Sequence, residues 1–220
     1  MNSITYIETA STAEAAAQMA ADTTITTCRA GQLELRIWAN RRAVTRIDLI
    51  PSRPDNGSVT ASRNKDNGDI TTEYKDNTAT PAALAVRQLG EYFSGARRDF
   101  DFPIELYGTP FRLRVWRALT TIGYGETMSY GELARYIGQP KAARAVGGAA
   151  HNNPVLIAVP CHRLVGSDGS LTGFACGLDM KAYLLRVEAA AAAKQSSCGG
   201  KSKLKADLRL ENFTKNRTIQ

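Results

Sequence analysis

The stretch Asn153-Pro154-Val155-Leu156-Ile157-Ala158-Val159-Pro160-Cys161-His162-Arg163-Leu164 constrains this chain more than any other. An apolar run, Val155 to Val159, is closed by a proline and followed at once by a thiol, an imidazole and a guanidinium. Valine and isoleucine favour a strand. Proline fixes its own φ and biases the residue before it toward extended backbone. The pattern predicts a buried strand that holds Cys161 at a pinned position. Two readings follow: a nucleophile brought to a surface, or a core strand whose cysteine is a small buried hydrophobe. On extended backbone neighbouring side chains point to opposite faces, so a direct Cys161–His162 hydrogen bond is not expected. A water bridging the two, with Glu188 orienting the imidazole, is the arrangement that eases thiolate formation.

At 220 residues the chain can hold one large or two small domains. No stretch approaches about 20 apolar residues, so no spanning helix and no membrane partner are expected. Residues 1–22 carry Glu8, Glu14 and Asp22 and no arginine, which argues against a secretory or mitochondrial leader. Cys28, Cys161, Cys176 and Cys198 are widely spaced, so a reducing compartment fits better than a disulfide framework. Of the net charge of +7, residues 1–107 hold −2, residues 108–190 hold +4 and residues 191–220 hold +5. A basic second half suits a polyanionic partner, although a solvated basic tail explains its last part as well.

Residues 1–22 read as a weakly ordered extension. In residues 23–107, alternation at Leu33, Leu35 and Ile37 predicts a strand, Asn40-Arg41-Arg42 a turn, and Val44 to Ile50 a partner strand. Residues 51–79 read as a long loop. Pro81 opens a helix that stops at Gly95, and Phe100, Phe102, Ile104 and Leu106 alternate as a further strand. This first domain has no histidine and one cysteine, so no Cys/His metal site is expected in it.

In residues 108–193, Thr109-Pro110 starts a helix, and Ser129-Tyr130-Gly131-Glu132 is a capping box that starts a second. A turn at Gly138-Gln139-Pro140 leads to a third helix, Lys141 to about Ala150. Short helix, tight turn, second helix is the helix-turn-helix pattern. The third helix is built of small residues around one large side chain, Arg144. Each interior glycine costs about 1 kcal/mol against alanine, so Gly147 and Gly148 point to a close approach. Tight packing on another helix accounts for it. So does a thin helix pressed into a widened DNA minor groove, with Arg144 entering the base stack. A last helix runs from about Asp179 to Ala193, and residues 194–220 read as a basic flexible tail.

Taken together these motifs resemble the O6-alkylguanine-DNA alkyltransferase family. The resemblance rests on Ser129 to Ala134, Lys141 to Ala149, Asn153-Pro154, Pro160-Cys161-His162-Arg163, Gly177 and Lys181 to Glu188. It implies an α+β protein: a small N-terminal α/β domain, ribonuclease-H-like, then a winged helix-turn-helix-like domain carrying the cysteine. The implied activity is DNA repair by one irreversible transfer of an alkyl group from O6-alkylguanine, and from O4-alkylthymine, to Cys161, after the base is flipped out of the duplex. Alkylated double-stranded DNA is the implied partner, a monomer the expected state, and no cofactor or metal is implied. The compartment is the nucleus for a eukaryotic member and the cytoplasm for a prokaryotic one.

The resemblance also implies roles. Cys161 is the acceptor, His162 acts on it through water, and Glu188 stands behind His162. Tyr130 donates to the guanine ring and helps rotate the phosphate. Arg144 replaces the flipped base, with Ala143, Ala145 and Gly147 along the groove. Asn153 braces the bend before the cysteine. Backbone carbonyls at Cys161 and Leu164 read the guanine amino group, the Ala175 N–H faces O6, and Phe174, Cys176 and Lys181 complete the pocket. Phe174 stands where many members have tyrosine, which leaves the pocket without a hydroxyl, and Cys176 where many have glycine, which narrows the pocket and puts a second thiol near the site. Three alternatives compete: an alkylated-DNA-binding protein without repair activity, a winged-helix regulator with a structural cysteine, and a cysteine hydrolase.

Overall fold

The computed structural model describes residues 6–7, 23–30, 33–50 and 80–196. The fold is mixed α+β. Its first half is a sheet of β1 (Tyr6–Ile7), β2 (Thr24–Ala30), β3 (Leu33–Ala39), β4 (Val44–Ile50) and β5 (Ile104–Glu105), in the order β1-β5-β4-β3-β2. The strands β2, β3 and β4 form an antiparallel meander, and β5 joins β4 and β1 in parallel. Alternation builds β3 as expected: Leu33, Leu35, Ile37 and Ala39 are buried, while Trp38 on the other face lies between the guanidiniums of Arg36 and Arg46. The Asn40 turn closes β3 onto β4, with the Asn40 side chain accepting from the N–H groups of Arg42 and Ala43. Helix α1 (Pro81–Phe93), capped by Thr80, covers the sheet with Ala82, Ala85, Leu89 and Tyr92 at helical spacing.

The second half is helical. It comprises α2 (Pro110–Leu119), β6 (Met128–Ser129), α3 (Tyr130–Tyr136), α4 (Ala143–His151), a 3₁₀ turn at Cys161–Arg163, β7 (Leu164–Val165) and α5 (Leu178–Ser196). Thr109 caps α2 through the Arg112 N–H, and the capping box of α3 is complete, with Ser129 and Glu132 each accepting from the other's backbone N–H. The turn between α3 and α4 is held by the Gln139 N–H donating to Ala134 O and the Ala142 N–H donating to Gln139 O. Below α4 lies Trp116 of α2, whose indole N–H donates to Ala149 O at 2.8 Å.

The structure corrects several expectations. The run Val155–Val159 is no strand: it makes one bridge to β4, Ile47 to Val155, and then folds back on itself, Leu156 to Val159. Beyond that one bridge the run turns back instead of following β4. The reversal puts Ile157 at φ 73°, strained for a β-branched residue. All five residues are buried, so their apolarity reflects full burial, which composition alone does not distinguish from a strand. Cys161 accordingly lies on a 3₁₀ turn, and the argument from extended backbone does not apply to it. Between Phe100 and Leu106 only Ile104–Glu105 pairs as a strand, although all four alternating apolar residues are buried. Strand β2 was not foreseen, because Thr24–Ala30 offers no clean alternation of polarity. The third helix begins at Ala143 and ends at His151. Within the N-terminal extension, Tyr6–Ile7 pairs with β5. The rest of residues 1–22, the loop 51–79 and residues 197–220 of the tail lie outside the described residues.

Candidate active site

Cys161 enters the site from below α4. The chain leaves α4 at His151, docks on β4 through the Ile47 N–H donating to Pro154 O (2.9 Å) and the Leu156 N–H donating to Ile47 O (3.2 Å), and reverses into Pro160. Asn153 ties the reversal. Its side-chain oxygen accepts from the Val155 N–H at 3.0 Å, and its amide nitrogen donates to Val159 O at 2.7 Å and to Cys161 Sγ at 3.1 Å. The bracing expected of Asn153 is therefore present. The bond to sulfur was not foreseen, because the fold-back that brings the amide to the thiol has no signature in an apolar run.

The thiol is only 4% exposed. Burial pushes its pKa up to about 11, against the Asn153 hydrogen bond and the Lys181 charge, which both favour thiolate. At neutral pH the free protein thus holds a thiol, and a nucleophile needs a base to take its proton. His162 is fully buried, and its Nε2 lies 2.9 Å from Glu188 Oε1. Burial holds the imidazole pKa below its ordinary value, so the ring is neutral. Burial alone would raise the Glu188 pKa, but the groups around it win and hold it far below the usual carboxylate range. Those groups are His162 first, through its charge when protonated and its hydrogen bond, and then the Arg163 guanidinium, 2.8 Å away through Nη2 and 3.1 Å through Nε. The Gly125 N–H adds a bond of 2.9 Å to Oε2 and the Tyr92 hydroxyl one of 2.7 Å to Oε1. An ionised carboxylate only accepts, so the hydrogen must sit on His162 Nε2. The lone pair is then on Nδ1, which is buried and has no hydrogen-bond partner among the described residues.

Glu188 is thus no surface charge at the end of a helix, as its position in α5 allowed, but the centre of a buried network.

Tyr130, the first residue of α3, donates through its hydroxyl to Thr172 O at 3.0 Å and to Gly173 O at 3.1 Å. The fit is close: a Cβ at Gly173, whose φ is +48°, would meet the Tyr130 oxygen at 3.3 Å. Lys181, fully buried, donates to the same Thr172 O at 2.5 Å and lies 5.8 Å from the Tyr130 ring centre. Burial lowers its pKa to about 8. The strands β6 and β7 pair in parallel, Met128 with Leu164 and Ser129 with Val165, and so bind the start of α3 to the end of the cysteine turn. Leu164 is buried, and its N–H donates to Cys161 O. Phe174 and Cys176 are half-buried and Ala175 is exposed, in the loop before α5. Both departures from the family pattern therefore lie together on one loop. The free thiol of Cys176 is half-buried and close enough to Cys161 to bias its ionisation.

Helix α4 presents a different surface. Arg144, Ala145, Gly148 and His151 are exposed, as is Lys141 in the turn before the helix, while Val146, Ala149 and Ala150 face the core. Ala143 and Gly147 are half-buried, and a Cβ at Gly147 would sit at ordinary contact distance, 3.7 Å, from the Tyr130 ring. A Cβ at Gly148 would meet nothing within 4 Å. Close packing inside the protein therefore does not account for Gly148.

Fold and site together define a protein with a buried cysteine, a buried His162–Glu188–Arg163 network next to it in the chain, and a helix with an exposed face of small residues around an arginine. Residues 110–190 match the DNA-binding domain of 6-O-methylguanine DNA methyltransferase. The methylated-DNA–protein-cysteine methyltransferase of Mycolicibacterium paratuberculosis is 56% identical over 113 residues, which cover 50% of this chain and 68% of that protein. The inducible enzyme of that name in Bacillus subtilis is 49% identical over 113 residues, 51% of this chain and 62% of that protein. Among solved structures, Mycobacterium tuberculosis OGT in complex with DNA superposes with a TM-score of 0.60 at 36% identity, covering 75% of this chain and 92% of that one. The chain belongs to the methylated-DNA–protein-cysteine methyltransferase family.

Proposed function

We propose that this protein repairs DNA by moving an alkyl group from O6 of a guanine in double-stranded DNA onto its own Cys161, once per molecule. The observation that carries the assignment is the pairing of a buried thiol, bonded by Asn153, with a neutral imidazole whose Nε2–H is committed to Glu188. A water joins the Cys161 thiol to His162 Nδ1. The thiol proton passes to the imidazole as Sγ attacks the alkyl carbon; the S–C bond forms and the O6–C bond breaks. Negative charge that develops on the purine is met by donation from Tyr130, and the proton taken from the thiol ends on the guanine. Asn153 and the Lys181 charge favour the anionic sulfur on the way. The carbonyls of Cys161 and Leu164 and the Ala175 N–H read the base, Phe174 lines the pocket without a hydroxyl, and Cys176 limits the size of the alkyl group.

The target atom is inaccessible within the stack, so the base must leave it. We assign α4 to the minor groove, Arg144 to the place of the flipped base, and Ala143, Ala145 and Gly147 to the groove walls. The bare surface at Gly148 supports this reading. We read residues 108–193 as a winged helix-turn-helix-like domain and residues 23–107 as a ribonuclease-H-like one, the antiparallel meander extended by parallel strands being in keeping with the latter. We read the working unit as a monomer.

The test is direct. The protein is mixed with a duplex containing one O6-methylguanine, and the tryptic peptide with Cys161 is weighed. A methyl increment on that peptide, with one lesion repaired per protein, is expected. No mass change on Cys161 overturns the assignment.

A further inference from the structure

The site reaches outside the half of the chain that carries its motifs. Four groups donate to the Glu188 carboxylate: His162, Arg163, the Gly125 N–H and the hydroxyl of Tyr92. The first three lie within residues 110–190. Tyr92 lies in the last turn of α1, ninety-six residues before Glu188 and on the helix that covers the N-terminal sheet. Its ring is fully buried, set edge-on to Tyr124 with centroids 5.5 Å apart, and packed on Phe93 and Phe100. A hydroxyl at that depth is costly without a partner, and Glu188 is the partner.

The geometry around Oε1 gives that bond a task. Oε1 accepts from Tyr92 at 2.7 Å, from His162 Nε2 at 2.9 Å and from Arg163 through Nη2 at 2.8 Å and Nε at 3.1 Å. Arg163 grips the carboxylate from one edge, and the Gly125 N–H fixes Oε2. The Tyr92 hydroxyl approaches from another element altogether and sets where Oε1 lies relative to the imidazole.

We propose that Tyr92 is a positioning residue for alkyl transfer: it holds Glu188 so that the His162 Nε2–H points into the carboxylate and the Nδ1 lone pair is kept for the Cys161 proton. The site is then completed by the N-terminal half. This inference rests on the transfer reading given above. Burial keeps the Tyr92 hydroxyl protonated, so it serves as a donor throughout the working pH range. By taking part of the charge of Oε1, it also restrains the basicity of His162. The other charged or titratable groups that face the network are Arg163, Tyr124, Lys181 from α5, and Arg98 over the Tyr124 ring.

The experiment compares Tyr92→Phe with the unaltered protein in single-turnover transfer from an O6-methylguanine duplex between pH 5 and 9. Duplex affinity and urea stability are measured in parallel. Losing one hydrogen bond to a charged group slows transfer by about tenfold and leaves duplex affinity unchanged. The acid limb of the rate profile moves to higher pH, because an Oε1 relieved of one donor stabilises the imidazolium more. Phe93→Leu, on the same helix and packed on Tyr92 and Tyr183, serves as the packing control: stability falls, the profile stays. A Tyr92→Phe profile that overlays the unaltered one, or a Phe93→Leu profile that shifts equally, overturns the proposal. If the unaltered protein leaves Cys161 unmodified, the transfer reading itself has failed, and that outcome is visible before any variant is made.

Discussion

The segment Val155–Val165 and helix α4 are neighbours in the chain and opposites in construction. Every residue of the first is buried, including an imidazole and a guanidinium, and nearly every polar atom there is matched to a partner. The outward face of the second is bare: an arginine, a histidine and a glycine, Gly148, where an added Cβ would meet nothing, with Lys141 exposed just before the helix. On the function proposed above, the difference follows from what each must meet. A proton transfer gains from fixed dipoles in a dry setting, where charges interact strongly and nothing has to reorganise. A surface that meets a polyanionic duplex gains from being thin and positive, and loses from preformed partners. One region spends its stability on polar matching in the interior, and the other leaves helix propensity unused on the outside.

That contrast can be broken at several points. The largest effect is expected from Cys161→Ser, which removes transfer below detection while duplex affinity stays within about twofold; oxygen at that position lacks the nucleophilicity of sulfur. Loss of affinity along with transfer would show that the buried segment and the helix are not separable. Next, Glu188→Gln leaves Arg163 buried without its counter-charge. Breaking such a pair costs about 3–5 kcal/mol, to be read from urea unfolding. A loss below 1 kcal/mol would mean that the network is not the dry, matched element described. Third, Arg144→Ala slows repair of duplex DNA by about tenfold but leaves reaction with the free O6-alkylguanine base unchanged, since no base then has to be replaced in a stack. Equal slowing on both substrates would place Arg144 in the chemistry.

Acid sharpens the contrast further. The folded pKa of His162 lies below 6.5 and that of Glu188 below 4.5, so both groups bind protons less readily in the folded state. Their stabilisation is complete above the unfolded values and is lost as pH falls: from about 6.5 downward for His162, and below about 4.5 for Glu188. Transfer, which needs the neutral imidazole, holds level from pH 8 to 6.5 and declines only below that range. A decline starting above pH 7 would contradict it. The smallest effect belongs to Gly148→Ala. Alanine in an open helical position adds up to about 1 kcal/mol of stability, yet the same methyl weakens duplex binding. A variant that is both more stable and a better binder would refute the bare-surface reading.

How much of this could be read in advance differed by region, for physical reasons. The caps at Thr80, Thr109 and Ser129 and the Asn40 turn are local hydrogen-bonding devices, and local devices are written in adjacent residues. The motif residues Tyr130, Arg144, Asn153, Cys161, His162 and Glu188 were likewise all visible. Their surroundings were not. The fold-back at Ile157 is a matter of tertiary contact: the run bridges β4 once, at Ile47, and then pairs with itself. The bond from Asn153 to sulfur follows from that fold-back. Tyr92 escaped notice because an aromatic residue at helical spacing in α1 looks like core, and most of its side chain is core; only the hydroxyl belongs to the site.

The indole of Trp116 bears on how such questions can be followed in solution. The chain has two tryptophans, one in each half. Trp38 is half-buried between two guanidiniums on the outer face of the sheet, whereas Trp116 is buried and bonded to the last turns of α4 through Ala149 O. Their emission should differ in colour, the interior indole being the bluer. A shift confined to the blue component on adding duplex would report on the seat of α4 without any label. With Trp38→Phe as the working background, helix docking becomes visible in real time, separately from the slower appearance of alkylated cysteine.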